Sequence, residues 1–595
     1  MAQVADYVLA RLREWGVHRV YGYPGDGING FLGAFERAKN DPEFLQPRHE
    51  EMAAFMACGH AKFTGETGVC MATSGPGAIH LLNGLYDAKL DHVPVVALVG
   101  QQRRPSLGAG YQQEVDLASL FKDVSEYVQV CMTASQARHL VDQAMRVAAA
   151  ARGVATLIFP ADVQEEDAVT APPRAHGSVF SGVGSYRAVT VPPVAAVRDA
   201  AEILNGGERV AILAGQGARG AAAELTQVAD LLGAGVAKAL LGRDVLPDDL
   251  PFVTGPVGLL GSRASDDMLM KCDTLLMVGT GFPYAEWLPE EGRARVVQID
   301  QDASRIGRRV PVDAGLAGDA RETLRLLIPY LEHKEDRDWR RGVEADVDEW
   351  WRIMERQARQ RFEAINPQLV AWELNDRLPD GAILTADSGS GTTWWARQLR
   401  LRAGMRASLS GTLATMGPGV PYAIAARFAH PDRPVVAFVG DGAFQMNGMN
   451  EMITVARYAE RLAGPPLVFC VLNNRDLNMV TWEQRAMGGD PRFPASQDLP
   501  DVPYAAYAEL LGLTGIRCED PDDVGAAWDR AMEADRPVVL EFVVDANVAP
   551  LPPHVLAEQA RNTAKALWRD PDRVGVAAAA FRQKMAEVFE VRRHG

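Results

Sequence analysis

Apolar residues along the chain follow two recurring rhythms. One is a short, nearly continuous apolar run rich in β-branched residues: "VHRVYGY", "GVCMATS", "VPVVALVG", "VATLIFP", "RVAILA", "RPVVAFVG" and "PLVFCVLNN". The other spaces apolar residues three and four apart, as at Val4, Val8, Leu9, Leu12 and Trp15 of the opening segment. The first rhythm is that of buried strands and the second that of helices with one apolar face. Strands that alternate with such helices predict parallel sheets covered on both sides. The expected fold class is therefore α/β, built from doubly wound parallel sheets.

Composition shifts break this alternation in three places. A Pro-, Gly- and Ser-rich stretch spans about 163 to 195, a charged stretch spans about 332 to 351, and "ANVAPLPPHVLAEQ" opens a tail after Asp545. These joints divide the chain into domains at 1–180, 190–335 and 355–548, with a C-terminal tail at 549–595. The first and third domains look alike. Each offers a strand, a Gly-rich turn and a helix, at "TSGPGAIHLLNGL" (73–85) and "VGDGAFQMNGMNEM" (439–452), as an internal duplication would.

With 595 residues, 47% apolar and 23% charged, the chain has the balance of a multidomain globular protein. Lys+Arg 61 against Asp+Glu 77 leaves a net charge of −16, which disfavours nucleic acid as a partner. The six cysteines show no CxxC spacing and mostly sit in apolar runs. They read as reduced core thiols, and the expected location is the cytoplasm. Charges interleaved from Asp6 onward argue against a signal peptide, and no apolar run is long enough to span a bilayer.

Chemistry first shows in the third domain. The strand "RPVVAFVG" delivers the chain into Asp441, between Gly440 and Gly442, and a helical pattern follows. A Gly-rich turn at a helix N-terminus offers free N–H groups to a phosphate. A carboxylate beside a diphosphate is tolerable when a divalent cation lies between them, and magnesium, with its taste for hard oxygens, is the natural one. A second ligand is expected at the end of the next strand, where "PLVFCVLNN" closes on Asn473 and Asn474. Alone, GDG reads as a strand-to-helix turn and NN as a polar strand end. Together, in this order, they point to a metal-bridged diphosphate.

That pair resembles the diphosphate–magnesium motif of thiamine-diphosphate enzymes, and the likeness to the pyruvate oxidase and acetolactate synthase group covers nearly the whole chain. The resemblance implies a pyrimidine-binding domain, a central dinucleotide-fold domain and a diphosphate-binding domain, in that order. It makes Asp441 and Asn474 metal ligands, with the Asp476 carbonyl as a third, and sets Gly440, Gly442, Ala443, Ser388 and Ser390 near the phosphates. One departure is visible: residues 443–473 form a longer connection than such enzymes usually have, with the surplus expected in "ERLAGPP".

The cofactor of this family needs a carboxylic acid at its pyrimidine in a water-poor pocket. In "PRHEEMAAFMACGHAKFTG" the resemblance assigns that role to Glu50. Small residues on the same helical face, Ala53, Ala54 and Ala57, are expected to leave room for a ring. Glu51 points about a third of a turn away and is expected to be solvated. Gly75 and Pro76 supply a tight turn, Asn83 a polar contact, and Gln113 of "GAGYQQEVDL" stands for a Gln of the oxidases. In "LATMGPGVP", Met416 corresponds to the residue that wedges the cofactor into a bent shape, while the backbone around Ala414 and Met416 binds the pyrimidine. Trp482 and Glu483 of "NMVTWEQR" are expected at the active-site entrance, Glu483 completing a catalytic set with Glu50 and Gln113. Asp476 and Asn478 make that region more polar than a pyruvate pocket usually is.

In the central domain, "GQGARG" carries Gly215 and Gly217, "GTGFPY" carries Gly279 and Thr280, and Asp300 ends a strand. The set resembles the FAD-binding domain of pyruvate oxidases, which makes FAD a candidate cofactor beside thiamine diphosphate and Mg2+. The tail aligns Phe581, Met585, Val588 and Phe589 on one face near basic residues. Docking on its own subunit is the preferred reading, and peripheral membrane contact the secondary one.

The function implied is decarboxylation of a 2-oxo acid, pyruvate first, with electrons passing through FAD. The alternative is an acetolactate synthase-like carboligase without flavin redox. A non-catalytic scaffold or regulatory homologue is the reading from another class, and intact Glu50, Asp441 and Asn474 argue against it. Because the first and third domains pair across subunits in this family, a homodimer or homotetramer is expected.

Overall fold

The computed structural model describes residues 2–185, 188–554, 557–577, 579 and 583. They form three six-stranded sheets in which every strand pairing is parallel. The first holds β1 Arg19–Gly22, β2 Glu43–Leu45, β3 Gly68–Ala72, β4 Val95–Gln101, β5 Tyr127–Val130 and β6 Val154–Pro160. The second holds β7 Val210–Ala214, β8 Gly235–Lys238, β9 Val253–Pro256, β10 Thr274–Val278, β11 Arg295–Asp300 and β12 Ala314–Ala317. The third holds β13 Ile383–Ala386, β14 Arg406–Ser408, β15 Val435–Gly440, β16 Leu467–Asn473, β17 Thr514–Cys518 and β18 Val538–Val543. The apolar runs become strands because both faces of each sheet lie under helices, and β3, β4, β6 and β16 are buried at every residue.

The first sheet runs β2-β1-β3-β4-β6-β5 and the third β14-β13-β15-β16-β18-β17, the same order counted from each domain's first strand. The central sheet runs β12-β11-β10-β7-β8-β9. Within each sheet the order reverses between β1 and β3, β13 and β15, and β7 and β10. Ligand crevices of open α/β sheets open at such points, beyond the carboxyl ends of the strands. The Gly-rich turns singled out from the sequence follow β3, β15 and β7.

One hydrophobic core unites the first and third domains. Its axis is the contact between the Glu50–Thr64 helix and the Gly419–Ala429 helix. Gly59 makes the approach possible: a Cβ there would lie 2.9 Å from the Tyr422 ring and 3.0 Å from its Cα. The fully buried Phe55 meets Tyr422 edge-to-face, with centroids 6.4 Å apart. Burying each such side chain contributes about 1.5–3 kcal/mol. The first and third domains are thus in contact within the chain.

The charged joint near 332–351 is largely helix, Asp338–Ala358, with Val343, Val347, Trp350, Ile353 and Met354 turned inward. All six cysteines are buried and free. Beyond Val543 the chain returns through Ala557–Leu567 to lie on the π-helical turn Gln484–Gly488. There the buried guanidinium of Arg485 meets Asp570 through Nε and Nη2, both at 2.8 Å. Phe581, Met585, Val588 and Phe589 lie outside the described residues. Among the described residues no helix is long and apolar enough to cross a membrane.

Candidate functional site

Strand β15 ends at Gly440 and sets Asp441, 3% exposed, at the start of a short helical turn. Its Oδ1 accepts the Gly442 N–H at 2.9 Å and its Oδ2 the Arg475 N–H at 2.6 Å. Burial pushes the carboxyl up to about 7, against those backbone N–H groups, and the Asp476 charge adds to the rise. A desolvated carboxylate in this state gains from a nearby cation. Beside it, a Cβ on Gly440 or Gly389 would meet open space, and a Cβ on Gly391, in the first turn of the Ser390–Gln398 helix, would lie 4.0 Å from the Gly440 nitrogen. Ser388 and Ser390 are half-buried at this mouth. The result is a small cradle flanked by two helix starts, which fits a diphosphate.

The two asparagines separate into different roles. Asn473 is fully buried and donates to Glu541 Oε1 at 2.8 Å. Asn474 is half-exposed, and its Oδ1 accepts the Asp476 N–H at 3.1 Å. The loop between them and Asp476 is held by Arg475 in the left-handed region, φ 57°. The Asp476 side chain accepts from Asn478, Thr481 and Arg492, and its carbonyl accepts the Asn478 N–H at 2.7 Å. The polarity that cast doubt on a pyruvate pocket is therefore consumed inside one buried network.

Gly442 links this loop to the segment carrying Met416. A Cβ there would stand 2.7 Å from Leu477 Cδ2 and 3.5 Å from Met416 Cε. The neighbouring Ala414 holds φ 52°, unusual for a residue with a Cβ and a form of strain that clusters at functional sites. Asp387 anchors the segment from the end of β13, accepting the Gly417 N–H at 2.8 Å and the Gly419 N–H at 2.9 Å. Sequence reasoning named the serines of "DSGSG" and missed this aspartate. The signal was available: an acid at a strand end before a Gly-rich turn, the same pattern as GDG.

In the first domain Glu50 begins its helix with His49 as N-cap, whose Nδ1 accepts the Glu51 N–H at 3.2 Å. Glu50 is 7% exposed, and a Cβ on Gly77 would lie 3.0 Å from its Oε1. Gly75, at φ 61°, presses on Gln113, whose own φ is 62°; a Cβ on Gly75 would come within 2.8 Å of the Gln113 Cβ. The turn Gly75, Pro76, Gly77 thus lies against Gln113 at one end and Glu50 at the other.

Two hydrogen-bonded bridges tie the halves of the site. Asn83 Nδ2 donates to Glu51 and, at 3.0 Å, to Thr415 Oγ1, while Asn447 Nδ2 donates to Glu51 Oε2 at 3.1 Å. Glu51 is therefore not solvated as expected but 18% exposed and held by both domains, because its turn of the helix faces the domain boundary. The small residues of the Glu50 helix also serve another end. A Cβ on Gly84 would lie 2.6 Å from the Ala54 Cβ and one on Gly68 2.0 Å from the Ala57 carbonyl oxygen, so both glycines let this helix approach closely. Trp482 is not at an entrance: it is 5% exposed and packs against Ala549 and Val576 of the C-terminal segment. Glu483, one residue on, is exposed.

The long connection between GDG and Asn474 includes an element the sequence reading did not foresee. Residues Phe444–Gly448 form a π-helical turn, which takes one residue more than an α-turn. The five-residue step from Phe444 to Met449 in the apolar pattern was its trace. A short helix, Ala459–Leu462, and the turn before β16 take up residues of "ERLAGPP".

In the central domain Gly215, Gly217, Gly279, Thr280 and Asp300 share one edge, at the ends of adjacent β7, β10 and β11. Gly217 and Gly279 are forced to be glycine by each other: a Cβ on Gly217 would lie 2.8 Å from the Gly279 Cα. Asp300 accepts the Asp302 N–H at 2.9 Å, and burial raises its carboxyl.

Three family models match the chain. "Thiamine pyrophosphate enzyme, N-terminal TPP binding domain" matches residues 2–120, the central domain of the same enzymes matches 197–327, and their C-terminal TPP binding domain matches 387–542. Among curated relatives, YdaP of Bacillus subtilis (strain 168), whose name cites thiamine pyrophosphate but no reaction, is 36% identical over 94% of this chain and 94% of its own. Pyruvate oxidase of Lactiplantibacillus plantarum is 28% identical over 92% of this chain and 89% of its own. Acetolactate synthase of Mycobacterium bovis is 30% identical over 92% and 89%.

Proposed function

The chain belongs to the thiamine pyrophosphate (thiamine diphosphate) enzyme family, and from that premise we propose that it decarboxylates a 2-oxo acid, pyruvate first, and passes the electrons on through FAD. The observation that carries the reading is that one chain holds a buried acid, Glu50, at the start of its helix in the first domain and the Asp441 cradle in the third, while Asn83, Glu51 and Asn447 tie the two domains together. When bound, thiamine diphosphate supplies a carbon nucleophile that adds to the keto carbon and accepts the electron pair left by carbon dioxide.

The protein's part is to bind, orient and exclude water. Asp441, Asn474 and the Asp476 carbonyl would hold magnesium, and Gly440, Gly442, Ala443, Ser388 and Ser390 would receive the diphosphate. Met416 and Ala414, fixed by Asp387, would support the pyrimidine while Glu50 holds a proton at its ring nitrogen. Gln113, over Gly75, and Glu483 would meet the substrate side. Residues Gly215, Gly217, Gly279, Thr280 and Asp300 would take the dinucleotide. A homodimer or homotetramer belongs to the same proposal.

The second reading is a carboligase without flavin redox, favoured by relatives named acetolactate synthase. Carbon dioxide release from a panel of 2-oxo acids, with and without a dye acceptor, separates the two. Acceptor-dependent release by a yellow protein supports the oxidase, and a colourless protein that forms acetolactate supports the carboligase. A protein that releases carbon dioxide from no 2-oxo acid would overturn both.

A further inference from the structure

The carboxyl of Glu50 is almost sealed. Its side chain is 9% exposed, and Gly77 closes over Oε1. The other oxygen, Oε2, meets Nδ1 of His80 at 2.9 Å. His80 ends the short Pro76–His80 helix, and its side chain is 42% exposed. Its ring stacks on His49, centroids 4.4 Å apart and planes inclined by 31°. His49 is itself fixed as the N-cap of the Glu50 helix. One imidazole therefore spans from a buried acid to solvent, steadied by a second.

We propose that His80 is the route by which Glu50 exchanges its proton with water. The proposal rests on the reading of Glu50 as the activating acid and extends it. A buried carboxyl cannot trade protons with bulk water directly, whereas imidazole accepts at one nitrogen and donates from the other. The outward step is balanced: the proton on Glu50 Oε2 passes to His80 Nδ1 as the Nε2 proton leaves to water, and the ring stays neutral. The inward step runs in reverse and restores the first tautomer. His80 acts through Glu50 and does not itself need to touch cofactor or substrate.

Two variants test this. His80→Gln keeps a donor to Glu50 but cannot relay a proton, and His80→Ala removes the group. Exchange of the C2 proton of bound thiamine diphosphate for deuterium is followed by quenching and NMR, and cofactor affinity is measured separately by calorimetry. The expected result for His80→Gln is near-unchanged affinity with exchange slowed about tenfold or more. His80→Ala should be as slow and should recover with added imidazole. Exchange in His80→Gln within about threefold of the parent, or an alanine variant that imidazole does not rescue, overturns the relay. A further readout needs no cofactor: in 15N-histidine-labelled protein, Glu50→Gln should move the ring-nitrogen resonances of His80, and unmoved resonances overturn the contact. If the parent binds no thiamine diphosphate, the proposed function fails while this last measurement still decides on His80.

Discussion

Asp387 and Gly417 join the end of β13 to the segment that presents Met416: the carboxylate accepts the Gly417 N–H at 2.8 Å from a site where it is 3% exposed. Gly419 and Ser388 donate to the same carboxyl, each at 2.9 Å. Asp387→Ala would leave these buried N–H groups unpaired. The expected cost is about 2–4 kcal/mol in urea unfolding, together with weakened thiamine diphosphate binding. Unchanged stability would mean that the segment holds its shape without the aspartate.

Glu451 gives a pH test. It is fully buried, its Oε1 accepts the Arg48 N–H at 2.8 Å just ahead of Glu50, and burial pushes it from 4.5 up to about 7. A carboxyl raised on folding holds more protons in the folded state, so its contribution is fully present below about 4.5 and is lost as pH rises through about 7. Glu451→Gln does not titrate. Compared with the parent, its relative stability should therefore rise between pH 5 and pH 8 by on the order of 3 kcal/mol. A difference that stays flat with pH would contradict the assignment.

Asp441 separates folding from cofactor binding. Burial disfavours the charge of Asp441, but Asp441→Asn also exchanges one of its two accepting oxygens for an NH2, so the cofactor-free variant should lose no more than about 1–3 kcal/mol of stability. In the parent, thiamine diphosphate with Mg2+ should raise the melting temperature by mass action. In the variant that rise should vanish, as scanning calorimetry would register. A full ligand-induced rise in Asp441→Asn would remove Asp441 from the metal site.

The Arg485–Asp570 pair fastens the C-terminal segment over Trp482. Removing Asp570 leaves the buried Arg485 guanidinium only its longer contact to Asp572, at 3.3 Å, at a cost of up to about 3–5 kcal/mol. Asp570→Ala should therefore expose the segment after residue 546 to limited proteolysis while the three sheets stay protected. Equal cleavage of variant and parent would show that other contacts hold the segment.

The fold was legible because buried parallel strands leave continuous apolar runs and helices leave a period, and both survive in this chain without interruption. Asp441 and Asn474 were readable because a motif names residue types at strand ends. What stayed hidden depends on neighbours distant in sequence. Glu51 reads as solvated until Asn83 and Asn447 are placed beside it. Asp387 needed the Gly417 backbone to reveal its work. The π-turn at Phe444–Gly448 left only a five-residue step, which single-period reasoning passes over.

The central claim is that Glu50, buried at the start of the Glu50–Thr64 helix, activates the cofactor for decarboxylation. The direct measurement is carbon dioxide release from 2-oxo acids, with thiamine diphosphate and Mg2+ saturating, by the parent and by Glu50→Gln. The account predicts release by the parent and a loss of at least about 10²-fold in the variant, with cofactor binding retained. Release by Glu50→Gln as fast as by the parent would contradict it.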